Sequence, residues 1–115
     1  MKLSHYFLAI LSFVFVTLSA CSAENHLDQA IQHAKAASQA TDVKSVSKHA
    51  QIAKSHATDA KNSKQSQKHS ESSGEHLNEG IRNLDQAIEK ADLDTVDSAK
   101  KAAEDALIHL QQAKN

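Results

Sequence analysis

Six histidines of this chain fall on a seven-residue grid. His26 and His33 are seven positions apart, as are His49 and His56, and His69 and His76, with His109 standing by itself near the end. Imidazole is a metal ligand and a proton carrier near neutral pH, so the spacing decides which role is open. Two histidines seven apart on one helix share a face but lie ~10.5 Å apart along its axis. With metal–nitrogen bonds of ~2.0–2.1 Å, one ion cannot reach both. A metal site therefore needs a second helix that brings another histidine opposite the first.

The elements that would do this are legible. Pro is absent, Gly occurs twice, and Ala, Lys, Gln, Glu and Asp abound, which favours helix over most of the length. Apolar residues recur at three- and four-residue steps in four segments. The first carries Leu27, Ala30, Ala34 and Ala37, and the second Val43, Val46, Ala50, Ala53, Ala57 and Ala60. The third carries Leu77, Leu84, Ala87 and Ala91, and the fourth Val96, Ala99, Ala103, Ala106, Leu110 and Ala113. These are heptad a/d stripes widened by Ile31, Ile81, Ile88 and Leu107, as a bundle requires. Thr41-Asp42 and Asp94 or Thr95 supply capping residues, and the polar run 62–74 reads as a loop. The expected fold is all-α, an antiparallel up-down four-helix bundle made of two duplicated hairpins. Its helices span about 25–40, 43–62, 75–91 and 95–114. Leu27-Asp28-Gln29-Ala30-Ile31 recurs verbatim at 84–88, and Val43, Ala50, Ala53 and His56 align with Val96, Ala103, Ala106 and His109.

Within that register His26, His33, His49, His56, His76 and His109 sit at position g, directly before an a residue, while His5 falls in the opening segment and His69 in the loop. In an antiparallel hairpin g faces g, and facing residues have position numbers with a constant sum. His26–His56 and His33–His49 share one such sum, displaced by two from the core pair Leu27–Ala53. His76–His109 shows the same displacement from Leu77–Ala106. Carboxylates join them. Asp59 follows His56 by three, Glu79 follows His76 by three, and Asp105 precedes His109 by four. The richest expected cluster is His76, His109, Glu79 and Asp105; His26, His56 and Asp59, with Glu24 nearby, form a poorer one. His33–His49 lacks carboxylates and is flanked by Lys35 and Lys48. Imidazole with carboxylate suits Cu²⁺, Ni²⁺ or Zn²⁺, and Cu²⁺ leads on intrinsic affinity. A solvated surface histidine is the ordinary alternative at each position taken singly.

The opening residues are of a different kind. Met1-Lys2 precedes an apolar stretch from Tyr6 to Val16, too short for a comfortable span and proportioned like a signal segment. Leu18-Ser19-Ala20-Cys21 resembles the lipobox of bacterial lipoproteins, in which the cysteine thiol is acylated and the chain is cut just before it. The expected division is a signal at 1–20, a lipid-anchored tether at 21–25 and the bundle at 26–115. Ser22 lacks the Asp that commonly retains such proteins at the inner membrane, which points to a periplasm-facing anchor in the outer membrane. Cys21 is the sole cysteine, so no intrachain disulfide or thiolate metal site can form. Removal of 1–20 takes away every aromatic residue and the one Met. Loss of Lys2 leaves 12 basic against 14 acidic side chains. No basic patch exists to hold nucleic acid. Without aromatics, a usable nucleophile or a motif of catalytic spacing, the chain is not expected to be an enzyme. A structural or adaptor lipoprotein, using its helical faces, is the main rival to metal binding.

The chain resembles the small metal-binding protein family, periplasmic His-rich four-helix bundles built of heptads that bind several divalent metals, copper among them. The resemblance covers nearly all of residues 26–114. It is clearest in His26-Leu27-Asp28-Gln29-Ala30-Ile31-Gln32-His33-Ala34 and in Gly80-Ile81-Arg82-Asn83-Leu84-Asp85-Gln86-Ala87-Ile88-Glu89-Lys90. It implies an envelope protein that buffers or sequesters copper, nickel or zinc without chemistry. Asn83, Lys90 and Ala102 stand where that pattern places histidine, and the pair Asn83–Ala102 is the specific loss.

Overall fold

A computed structural model describes residues 22–63 and 71–115, with side chains of the first helix from Asn25 onward. The signal segment, Cys21, the Glu24 side chain and His69 lie outside the described residues. Four helices account for nearly all of the rest: α1 Ser22–Gln39, α2 Val43–Asn62, α3 Glu71–Asp92 and α4 Val96–Lys114. The described residues contain no strand, so the fold is all-α. None of these helices is long and apolar enough to cross a membrane.

Two of the boundaries differ from the periodic reading by more than one residue. The first helix starts at Ser22, three residues early. The third starts at Glu71, inside the stretch expected to be loop. Ser73 explains the second difference. It is 8 % exposed and continues the stripe Ser73, Leu77, Gly80, Leu84, Ala87, Ala91 at alternating steps of four and three. A small hydroxyl residue can hold a core position on a helix, and an apolarity scan passes over it. Glu71, in the first turn, complements the positive end of the helix dipole.

The turns are closed by named groups. Asp42 has extended backbone (φ −135°, ψ 153°), and its carboxylate accepts from the Ser45 amide and the Ser45 hydroxyl, both at 2.8 Å. This is an N-cap satisfying an orphan donor of α2, and these bonds hold the Asp42 carboxyl below its ordinary range. Between α3 and α4 the chain turns through Asp94 at φ 59°. The Asp94 amide donates to Ala91 O and the Thr95 amide to Lys90 O, both at 3.0 Å. That is a Schellman closure with Asp where Gly is usual. Thr95 precedes α4, but its hydroxyl donates back to Lys90 O at 2.7 Å and makes no cap bond.

The core is thin. Among the described residues, every buried apolar side chain apart from Leu27, Val46, Leu77, Leu84 and Leu110 is alanine. Helices with alanine at the seam approach closely, since crossing distance follows the side chains at the contact. Gly80 marks a close approach: a Cβ there would lie 2.9 Å from Leu110 Cδ2 and 3.6 Å from the Ala106 carbonyl oxygen. α1 packs chiefly on α2 and α3 on α4, while α2–α3 and α1–α4 contacts join the two pairs. Exposed ion pairs cross those joints, Lys54–Asp85 between α2 and α3 and Lys114–Asp28 between α4 and α1. Each adds little stability in water.

Candidate metal centre

Each of the six heptad histidines directly precedes a buried stripe residue: Leu27, Ala34, Ala50, Ala57, Leu77 or Leu110. The ring is thus held at the edge of the seam, half-buried, with its stem against the neighbouring helix. The alanine core draws the helices together until rings on facing helices touch. His26 Nδ1 lies 3.1 Å from His56 Nδ1, His33 Nδ1 lies 3.2 Å from His49 Nδ1, and His76 Nδ1 lies 3.4 Å from His109 Nδ1. All three pairs foreseen from the register are therefore in contact through the same ring atom.

Those distances can be compared with what an ion demands. Two nitrogens each ~2.05 Å from one metal, and 3.1 to 3.4 Å from each other, subtend an angle of roughly 98° to 112° at the metal. That range brackets the tetrahedral angle and approaches the right angle of a tetragonal site, so zinc and copper geometries both fit. Neutral rings at this distance can share one N–H···N bond. An ion would take both Nδ1 lone pairs, which requires the donor ring to shift its proton to Nε2, where the acceptor ring already holds its own. Asp59 completes a set of three: one ligand atom each from His26, His56 and Asp59 lies within 4.8 Å of the others.

The family model for small metal-binding protein matches residues 1–113. The chain belongs to the small metal-binding protein family. No curated protein and no solved structure matches it. The family is named for binding metal, and the His26, His56 and Asp59 group on α1 and α2 could hold a metal ion.

The carboxylates are distributed otherwise than the register suggests. Beside His76–His109, the Glu79 carboxylate bonds Arg82 at 2.8 Å and Asp105 lies 3.7 Å from Lys101. Among the described residues neither makes a three-ligand group with the histidines, whereas Asp59 does so with the pair ranked second. The reason lies one turn away. Glu79 and Asp105 each have a basic residue on the same helix face, at i+3 and i−4, and no such i±3 or i±4 base is paired with Asp59. Arg82, three residues after Glu79, is legible in the sequence as its competitor.

The structure also joins what the sequence kept apart. The rings of His33 and His56, assigned to different pairs, stack with centroids 6.0 Å apart and planes 13° apart. His26, His56, His33 and His49 therefore form one continuous ladder. Helical side chains lean toward their own N-terminus. Leaning so from facing helices, the His33 and His56 rings meet across the diagonal. Burial, then the nearby His49 and His56, push the His33 pKa below its ordinary value, so this ring stays neutral at pH 7. At the equivalent place in the second hairpin stand Asn83, half-buried, and Ala102, 3 % exposed, leaving His76–His109 without a neighbouring pair.

Proposed function

We propose that this chain is an envelope protein that buffers or sequesters divalent transition metals at histidine pairs between helices, with copper the preferred cargo and nickel and zinc alternatives. The observation that carries the reading is the Nδ1–Nδ1 approach of 3.1–3.4 Å in three pairs, each made of residues 16 to 33 positions apart in sequence. One chance contact of two surface rings would be unremarkable; three, through the same atom and at metal-compatible spacing, call for a common cause. The helices run up and down as antiparallel neighbours, two related hairpins each presenting histidines along one seam. His26–His56–Asp59 is the strongest site, His33–His49 and His76–His109 the weaker ones. Glu79 or Asp105 joins His76–His109 if it leaves its basic partner. The reading needs no reaction, since binding and release are equilibria.

Placement follows from the opening residues. Cleavage before Cys21 and acylation of its thiol would tether the bundle to the outer membrane, facing the periplasm. Calorimetric titration with Cu²⁺, Ni²⁺ and Zn²⁺, repeated on a variant with His76→Ala and His109→Ala, tests the binding. Micromolar or tighter binding at two or three sites, with one site lost in the variant, supports the reading. Millimolar or undetectable binding, with self-association that ignores chelator, overturns it in favour of an adaptor lipoprotein.

A further inference from the structure

The four histidines of α1 and α2 are not two independent sites. His26–His56 and His33–His49 lie one heptad apart, roughly 10 Å along the helix axis, and His56 of one pair stacks on His33 of the other at 6.0 Å. Asp59 belongs to the first pair alone. An ion there has three ligands and a charge partly cancelled by the carboxylate. An ion at His33–His49 would have two imidazoles, with Lys48 adjoining His49 and Lys35 two positions after His33.

Resting on the metal-binding reading above, we propose that the His26–His56–His33–His49 ladder is a two-ion unit that fills in order, His26–His56–Asp59 first, with the bound first ion weakening capture of the second. The second hairpin, with Asn83 and Ala102 in place of the neighbouring pair, takes one ion with no coupled neighbour. One chain then releases metal over a broader concentration range than three equal sites would, because the sites differ both in ligand set and in mutual repulsion.

The coupling has a calculable size. A first ion carrying a net charge of about +1 beside Asp59 and a second of +2, about 10 Å away in water at 10 mM ionic strength, repel enough to weaken the second about threefold. Replacing Asp59 by Asn leaves the first ion at +2, and the same arithmetic gives about eightfold. In 1 M salt the Debye length of about 3 Å removes the effect. Asp59→Asn should therefore weaken the first site while strengthening the coupling, a combination that a purely structural role for Asp59 does not produce.

The test uses the full chain carrying His76→Ala, titrated with Cu²⁺. Affinity at His33–His49 with the first site loaded is compared with its affinity after His26→Ala disables that site. Alanine is the best helix former, so neither variant should disturb the fold. The expected result is two ions per chain and about threefold weaker second binding at 10 mM ionic strength. That weakening should grow to about eightfold with Asp59→Asn and vanish in 1 M salt. The electron paramagnetic resonance spectrum should broaden by dipolar coupling only when both ions are bound. No copper bound at all would sink the metal-binding reading itself. Two ions of salt-independent affinity without dipolar broadening, or a second ion bound more tightly than in His26→Ala, would overturn the coupling and leave that reading standing.

Discussion

Saturating metal should raise the melting temperature of this chain steeply, and the sequence separations of the histidine pairs set the scale. Partners lie 30, 16 and 33 residues apart. In the unfolded chain an ion held by both rings of a pair must close a loop of that length. The loop-entropy expression gives about 3 kcal/mol for the shortest and about 3.7 kcal/mol for the longer two. That is the advantage the folded chain has in bidentate capture, since α1 with α2, and α3 with α4, already hold the rings together. Ligand at a hundredfold excess over Kd contributes about 2.7 kcal/mol per site if the unfolded chain binds negligibly, so one filled site is within reach of that figure. A domain of 60–100 residues shifts by roughly 4–8 °C per kcal/mol, and one site should move Tm by about 10–20 °C. Circular dichroism at 222 nm, with and without Cu²⁺ and then with chelator, reads the shift. His26→Ala with Asp59→Asn should remove the part due to the first site. If calorimetry detects bound metal while Tm stays fixed, the ion binds unfolded and folded chains alike. The facing geometry would then play no part in binding.

The apo protein should lose stability as pH falls below the ordinary histidine value of 6.5, because the folded state holds the His33 pKa lower than the unfolded chain does. Stability is complete above 6.5 and declines as protons enter the unfolded state first; urea midpoints between pH 7.5 and 5 measure it, and His33→Gln should flatten the slope. Leu84, fully buried amid alanine, should cost about 3 kcal/mol as Leu84→Ala, an effect read from the urea midpoint at unchanged m-value. Asp94→Gly should stabilise by about 0.5–1 kcal/mol in the same assay, since glycine adopts the φ of 59° without the Cβ penalty.

Much of the fold was legible because it rests on periodicity. Alanine at a/d spacing runs through α2, and the capping residue Asp42 stands where the pattern breaks. The start of α3 was not legible, because Ser73 fills a core position with a side chain that reads as loop. At the site, the three histidine pairs whose position sums are displaced by two from those of their core pairs touch through Nδ1. The sequence carried that geometry in the positions of Leu27, Ala53, Leu77 and Ala106.

Side-chain direction was the part that register alone could not supply. Position numbers treat a residue as a point, and on that view His33 belongs to His49 and nothing else. The Cα–Cβ lean gives each helix a polarity, so facing helices send their rings in opposite directions and diagonal neighbours meet. The same holds for the carboxylates. Glu79 and Asp105 lie on the histidine-bearing face, while Arg82 and Lys101, one turn away on that face, compete for them. A heptad site should therefore be read with its i±3 and i±4 charges and with the lean of each ring. By that reading Asp59, not Glu79, is the carboxylate left available to an ion, and the four histidines of α1 and α2 are one ladder rather than two pairs.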